Sequence, residues 1–361
     1  MTADPDSDRT EELVECVRRA TASRTPLRIV GGDTKRFYGR AIEGERLEVA
    51  GHCGVLHYDP AELVVTARAG TKLADLERLL QQHGQRLPFE PPAFGPAATV
   101  GGTVSAGLAG PARVARGPVR DFVLGVRLLT GDGRVLRFGG EVMKNVAGYD
   151  VSRLMAGSLG VLGVILDVSL KVLPGAVGSR TIRRVGDDAS TAIAQLVTAA
   201  QRGLPVTASH WHQGELHVRL EGSERAIDDL VARVDGEALA ADASDAWWAS
   251  VREQRHDHFR SSGPLWRLHV PLDAPVVAFE RYASFAFEWN GAQRWLAGLD
   301  ATAAHALARE CAGHAGCFRG AAPGEEVFAP LPPALLDLHR RMKQVFDPAG
   351  ILNPGRLYAA L

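Results

Sequence analysis

Glycine sets the strongest constraint on this chain. Of its 361 residues, 39 are Gly, and the excess gathers between Gly95 and Gly163. Glycine admits positive φ and lets backbone amides come close to a ligand, but it weakens helices and strands, so such a cluster serves turns. The turns are separate: Gly31-Gly32-Asp33-Thr34-Lys35, Ala98-Thr99-Val100-Gly101-Gly102, Gly107-Leu108-Ala109-Gly110, and Gly157-Ser158-Leu159-Gly160-Val161-Leu162-Gly163. Successive N–H groups in turns of this kind form anion-binding nests. No GxxxxGK[ST] occurs and no GxGxxG follows a strand pattern, which removes support for a P-loop NTPase or an ordinary Rossmann site. Several Gly-rich turns interleaved with β-rich runs suit a long ligand with a pyrophosphate and two ring systems. Plain turns are the competing reading, and composition alone favours it.

Other classes drop out quickly. Lys+Arg 41 against Asp+Glu 42 gives a net charge of −1, so no basic field points to nucleic acid or anionic lipid. No apolar run approaches the ~20 residues of a membrane span. The opening MTADPDSDRTEE is acidic and lacks an apolar core, so it is not read as a signal peptide. Four cysteines in a chain this long do not make a disulfide framework, and the expected setting is a reducing cytoplasm.

Periodicity organises the chain in two halves. A helix is expected over residues 11–22, with Asp8 or Thr10 as N-cap and Leu13, Val14, Val17 and Ala20 as its stripe. Strands are expected at Leu27–Val30 and Leu63–Ala67, and Thr71 should cap a helix carrying Leu73, Leu76, Leu79 and Leu80. Pro88, Pro91, Pro92 and Pro96 exclude regular structure between them. Gly131-Asp132-Gly133 turns a hairpin, and 164–172 alternates as a half-buried strand, with Asp167, Ser169 and Lys171 on the outer face. A boundary falls at Pro174-Gly175. Beyond it come a helix over 190–202, a strand over 216–220 with His217 and Arg219 outward, and a Ser223-capped helix bearing Ile227, Leu230 and Val234. A hairpin at Asn290-Gly291 and a helix over 301–312 follow, then a last helix over 333–346 with Leu335, Leu338, Met342 and Val345 as its stripe. This half reads as an antiparallel sheet covered by helices.

The wording of the motifs adds a resemblance. The pieces PLRIVGGDTK (26–35), LPFEPPAFGPAATVGGTVSAG (87–107), RGPVRDFVLGVRLLTGDG (116–133), KNVAGYDVSRLMAGSLGVLGVILDVSLKVLP (144–174) and FDPAGILNPGR (346–356) stand in the order of the vanillyl-alcohol oxidase/p-cresol methylhydroxylase superfamily. Within it, LHVRLEG (216–222), LWRLHVP (265–271) and WNGAQRWLAG (289–298) are most similar to the smaller FAD-binding subunits of bacterial glycolate oxidases (glycolate dehydrogenases).

The resemblance implies an α+β chain: a two-subdomain PCMH-type FAD-binding domain over 1–175, an antiparallel α+β cap over 176–330, and a tail over 331–361 returning to the FAD domain. It implies FAD as cofactor. Gly31, Gly32, Asp33, Thr34 and Lys35 would form the first pyrophosphate loop, and Pro92, Thr99, Gly101 and Gly102 would run along the second, beside the flavin. Arg120 and Asp121 stand where the family has its Arg-Asp pair. Gly157, Ser158, Gly160, Gly163, Val164 and Ile165 would contact the adenosine half, and Asn353 would approach the ring system. Three departures stand out: no His or Cys in the first loop, so non-covalent flavin is expected; Arg116 where an aromatic is usual; and Leu159 where an acid is usual. Implied partners are a larger flavin subunit, an iron–sulfur subunit and a small 2-hydroxy-acid substrate, in a complex at the inner face of the cell membrane that this chain does not cross.

The catalytic residues stay unassigned. His210, His212, Glu215 and His217 lie where larger relatives carry a metal motif, but His212-Gln213-Gly214-Glu215-Leu216-His217 is two residues shorter and lacks its Asp-Gly-Asn core. Surface or sheet-edge histidines are the preferred reading, and no metal is expected. Cys311, His314 and Cys317 fall short of a zinc or iron–sulfur ligand set. Arg219, Arg267 and Arg294 are each a carboxylate clamp or a solvent-facing strand position. Trp247, Trp248 and Trp266 read as core anchors, and Arg255-His256-Asp257-His258 as a solvated helix face. Three functions compete: a complex subunit that binds FAD and relays electrons, a self-sufficient 2-hydroxy-acid dehydrogenase, and a flavin-fold scaffold without cofactor.

Overall fold

The computed structural model describes residues 6–140, 150–232, 235–260 and 263–361. The family stretch at 144–149 and Val234 lie outside these described residues.

Helix Thr10–Ser23 places Leu13, Val17 and Ala20 at 3.6-residue spacing, and all three are buried. They join one apolar cluster with Leu27 of β1 (Leu27–Val30) and Leu47 of β2 (Glu45–Glu48), which pair in parallel. Asp8 accepts the Thr10 amide at 2.9 Å, but Arg9 occupies the N-cap position. The chain continues through β3 (Val55–Asp59), β4 (Val64–Arg68), β5 (Gln85–Arg86), β6 (Val123–Leu129), β7 (Val135–Gly139), β8 (Val164–Lys171) and β9 (Leu173–Pro174). Among the described residues, five of these form an antiparallel sheet ordered β3-β4-β8-β6-β7. Thr71 does not cap helix Leu73–Gln82. Its hydroxyl takes the Gly54 amide at 2.9 Å and gives to the Gly54 carbonyl at 3.0 Å, because a neighbouring loop offers both partners.

Strand β8 corrects the expectation of a half-buried strand. It is central, and its alternation hides a second buried face. Asp167 is matched there by Arg127 and by His52 at 3.2 Å, and Ser169 meets Thr66 at 2.8 Å. Polar residues thus occupy buried positions because partners on neighbouring strands satisfy them.

The second half holds β10 (Gly178–Val185), β11 (Val206–His212), β12 (Glu215–Gly222), β13 (Glu237–Ala238), β14 (Leu265–His269), β15 (Ala286–Glu288), β16 (Gln293–Ala297) and β17 (His314–Arg319). Among the described residues these make one antiparallel sheet ordered β13-β10-β12-β11-β15-β16-β14-β17. Asn290-Gly291 turns β15 into β16, with Asn290 at φ 58°. One sheet face carries Trp211, Leu216, Trp266, Leu268, Phe287 and Leu296 into a cluster with the helices Ala189–Gln201 and Ala301–Glu310. The opposite face is covered by helix Ala241–Arg252 and by the first half. For that reason His217 and Arg219, expected outward, are 1% and 7% exposed. His217 stacks on Trp247 at 3.6 Å, and the Arg219 guanidinium lies 5.3 Å from the Trp248 ring centre.

The final helix, Pro333–Phe346, also differs from expectation. Leu335, Leu338 and Val345 of the predicted stripe are exposed, whereas Lys343 and Phe346 are buried. A cation sets its orientation. Lys343 Nζ donates to the Val161 carbonyl at 2.8 Å and the Leu352 carbonyl at 2.6 Å, and pairs with Asp347 at 2.7 Å. The tail then lies beside β1: Leu27 donates to Ile351 at 2.7 Å and Asn353 to Leu27 at 3.0 Å.

Candidate functional site

The expected first loop follows β1 directly. Gly32 has no room for a side chain, since a Cβ there would fall 1.6 Å from the Ala97 carbonyl oxygen. Asp33 adopts φ 53°, the left-handed conformation that turns the chain. The amides of Gly32, Asp33, Thr34 and Lys35 donate to none of the described residues. A row of unspent N–H groups at a glycine turn is what a diphosphate requires.

This loop opens onto a groove of about 900 Å³, counting its mouth. The second glycine turn forms another wall, with Thr99, Gly101, Gly102, Ser105 and Ala106, and Leu159, Gly160, Gly163 and Ile165 form a third. The tail closes the groove with Asn353 and Arg356. Asn353 stitches two walls: its Oδ1 accepts the Ile29 amide at 2.8 Å and its Nδ2 donates to the Leu159 carbonyl at 2.7 Å. Arg356 donates to the carbonyls of Tyr38 at 2.6 Å, Arg40 at 2.7 Å and Arg36 at 3.0 Å, so it fixes the loop after Lys35. Burial pulls its pKa down to about 10. The Lys35 ammonium is likewise desolvated, which lowers its pKa to about 8, while Glu253 and Glu77 oppose the shift.

Not every expected residue reaches the groove. Gly157 and Ser158 sit beside it: Gly157 donates to the Val104 carbonyl at 3.0 Å, and the Ser158 hydroxyl accepts the Gly160 amide at 3.4 Å. Val164 is buried in the first-half core. Arg120 and Asp121 lie 3.8 Å apart on the surface, with side chains 68% and 50% exposed, and line no wall. Pro92 borders a different cleft. The sequence reading missed Arg28, Arg36, Ser105 and Arg356, because no local pattern distinguishes them. Only the return of the tail to β1 brings Arg356 to the loop.

An ion network holds the halves together. Glu221, on β12, accepts Arg86 at 2.6 and 3.0 Å and Arg116 at 2.8 Å. Arg219 lies 3.4 Å from the same carboxylate and pairs with Glu90 at 2.8 Å. Burial raises the Glu221 pKa, but the three guanidinium groups outweigh it and hold it at about 2. Arg116, noted as a departure from the family pattern, therefore joins the two halves. Glu253 adds a second tie, accepting the amides of Ala93 at 3.1 Å and Phe94 at 2.7 Å.

Between the halves a narrow cleft of about 300 Å³, counting its open mouth, is lined by Pro92, Phe94, Leu108, Arg267, Glu288 and Gln293, among others. Glu288 is 4% exposed, and Trp295 Nε1 donates to it at 2.7 Å. Desolvation pushes its pKa up to about 7. Arg294 is spent otherwise, bonding the carbonyls of Gly291 at 3.1 Å, Pro275 at 2.7 Å and Ala274 at 2.8 Å.

The histidines are not surface groups. His210 is 2% exposed on β11, and its Nε2 lies 3.3 Å from that of His258. His212 and His258 rings are 4.5 Å apart, and His258, expected on a solvated face, is 6% exposed. Burial lowers the pKa of His217 to about 4 and of His258 to about 3. Among the described residues no three His, Cys, Asp or Glu side chains are placed to hold a metal ion. Cys311 and Cys317 are buried and free.

A family model described as "FAD binding domain" matches residues 7–139, and one described as "FAD linked oxidases, C-terminal domain" matches residues 311–357. The chain is 43% identical over 355 residues to "Glycolate oxidase subunit GlcE" of Escherichia coli (strain K12), covering 98% of this chain and 99% of that one. It is 28% identical over 213 residues to "Glycolate oxidase subunit GlcD" of Bacillus subtilis (strain 168), covering 58% and 45%. It is 31% identical over 169 residues to "D-lactate dehydrogenase" of Anaerostipes hadrus, covering 46% and 35%. Among solved structures, alkyldihydroxyacetonephosphate synthase superposes with TM-score 0.67 at 14% identity, covering 95% of this chain and 74% of that one, a likeness of fold.

Proposed function

The chain belongs to the family of glycolate oxidase subunit GlcE and is an FAD-binding oxidoreductase subunit; from that premise we propose that it works in a complex oxidising glycolate to glyoxylate. The electrons pass from its flavin to an iron–sulfur subunit, and a larger flavin subunit completes the complex. The assembly sits in the cytoplasm, at the inner face of the membrane. In this chain no described helix is long and apolar enough to cross a membrane. Residues 1–175 form the FAD domain, 176–330 the cap, and 331–361 the returning tail.

The observation that carries the reading is the four unspent amides of Gly32 to Lys35 at the head of the groove. They and Lys35 hold the diphosphate, and Thr99 and Gly102 line the opposite wall. Gly160, Gly163 and Ile165 border the adenosine end, and Asn353 fixes the distance between β1 and the 159–163 turn. The first loop has neither His nor Cys, so the flavin is held without a covalent bond there. When bound, FAD supplies the two-electron oxidation of the hydroxyl-bearing carbon. The chain supplies position, charge and exclusion of water.

The test is the visible spectrum of the purified chain, before and after glycolate. A flavin spectrum with FAD released on denaturation supports the reading. A chain that binds no FAD even with excess cofactor contradicts it.

A further inference from the structure

A helix on the surface of a globular fold turns its apolar stripe to the core and its charges outward. Helix Pro333–Phe346 breaks that rule. Leu335, Leu338 and Val345 are 40%, 46% and 63% exposed, while Lys343 and Phe346 are buried. Among the described residues no other helix exposes more than one large apolar side chain. Met342, partly buried against the first-half core, completes the row. Leu335, Leu338, Met342 and Val345 are spaced 3, 4 and 3 residues apart. That is the a/d seam one helix offers to another.

Lys343 keeps the helix from rolling to hide this seam. Its Nζ holds the carbonyls of Val161 at 2.8 Å and Leu352 at 2.6 Å, and pairs with Asp347 at 2.7 Å. Turning the seam inward would take Lys343 from all three partners and leave the buried Asp347 carboxylate without its cation, a costly change. An apolar row held outward, with no gain inside the chain, marks an interaction surface.

Charge indicates what covers it. Arg340 and Arg341 are exposed on the same helix. Asp337 lies 3.4 Å from Arg341, and Arg340 has no ion-pair partner among the described residues. A facing helix with carboxylates beside its own apolar row is complementary to this pattern. A second copy of the chain is not. The seam runs from Leu335 to Val345, so its midpoint is residue 340, and a twofold antiparallel pairing sets Arg340 against Arg340. A bilayer surface suits it less well, since the row is narrow, holds no Trp or Phe, and has Asp337 exposed beside it.

We propose that the seam from Leu335 to Val345 docks one helix of a different polypeptide, apolar at a/d spacing and acidic along its flanks. This rests on the reading of the chain as a subunit of a complex and adds where a partner subunit sits. The partner's apolar side chains pack between Leu335, Leu338, Met342 and Val345. Its carboxylates meet Arg340 and Arg341 at the rim, where they set direction and register more than affinity. None of the four seam residues lines the cofactor groove, so docking and FAD binding are read separately.

The test co-expresses the full chain with the larger flavin subunit and the iron–sulfur subunit of the proposed complex, and captures them through a tag on this chain. Leu338→Glu lowers partner recovery about tenfold or more, the scale of losing one buried apolar anchor. FAD content and circular dichroism stay as in the wild type. Arg340→Glu lowers recovery several-fold and Arg340→Lys preserves it. Val345→Glu decides the matter should Leu338→Glu fail to fold. A benzophenone amino acid placed at Leu338 cross-links on illumination to an acid-flanked apolar helix of one of the two subunits. Wild-type recovery in both Leu338→Glu and Val345→Glu overturns the proposal. So does a cross-link to a second copy of this chain, or Leu338-dependent sedimentation with vesicles of phosphatidylcholine and phosphatidylglycerol. A yellow chain that recovers neither subunit overturns the docking face and leaves the FAD reading standing. A chain without FAD that still loses its partner on Leu338→Glu overturns the function reading and upholds the docking face.

Discussion

Replacing Glu221 with Gln tests how the two halves are joined. The change keeps side-chain shape and removes one charge at a carboxylate whose side chain is 3% exposed. Three guanidinium groups, from Arg86, Arg116 and Arg219, then lose the anion they share, with Glu90 left beside Arg219 and Arg86. The pKa of Glu221 falls from the ordinary 4.5 to about 2 in the folded chain. At about 1.36 kcal/mol per pH unit, that difference corresponds to roughly 3 kcal/mol of stability. Removing one partner of a buried pair costs about 3–5 kcal/mol by an independent route. The sign follows from the depressed pKa: the contribution is present above about pH 4.5 and is lost as pH falls through about 2. Urea unfolding at pH 7 followed by circular dichroism measures it, with Asp75→Asn as control. Asp75 and Arg78 are 2.9 Å apart, yet both are more than half exposed, so that change costs less than about 0.5 kcal/mol. A Glu221→Gln loss under about 1 kcal/mol refutes the reasoning.

Two further outcomes follow from the same charges. The buried histidines make the chain acid-sensitive: His217 and His258 are held neutral, at about 4 and about 3. The unfolded chain binds their protons first, so stability falls as pH drops below about 6.5, by roughly 2 kcal/mol for each by pH 5. Urea midpoints at pH 7 and pH 5 measure it, and equal values count against the buried placement. Lys35 lines the groove with its pKa lowered to about 8, still mostly charged at pH 7, and a diphosphate beside it would favour that charge further. Lys35→Met therefore weakens FAD binding about tenfold or more, from the ~1.5–3 kcal/mol of a charged hydrogen bond. A change under twofold in fluorescence titration removes Lys35 from the site.

Local pattern carried much of the fold. The stripe Leu13, Val17, Ala20 gave the first helix, and Gly131-Asp132-Gly133 and Asn290-Gly291 gave both hairpins, because turn chemistry is local. What failed depends on distant partners. The alternation of β8 does not say that both faces are covered, since Arg127 and His52 are brought to Asp167 by other strands. The stripe of helix Pro333–Phe346 does not announce that Lys343 will be its buried residue, since the carbonyls it meets belong to Val161 and Leu352. The glycine turns marked the groove, but their words did not separate residues lining it from Gly157, which supports it. Glu288, Gln293 and Arg267 come from three strands and meet through sheet register alone.

The central claim is that the glycine-walled groove holds FAD, and Gly102→Val examines it most directly. A Cβ at Gly101 would strike the Ala69 Cβ at 2.5 Å, so substitution there disturbs packing. At Gly102, which is exposed on the groove wall, the nearest atom is Thr99 Oγ1 at 3.1 Å, and the new side chain projects into open space. The measurement is FAD content per chain after purification, with circular dichroism to establish the fold. Gly102→Val is expected to keep the wild-type spectrum and lose most of its FAD. Full occupancy in that variant would place the cofactor elsewhere and contradict the account.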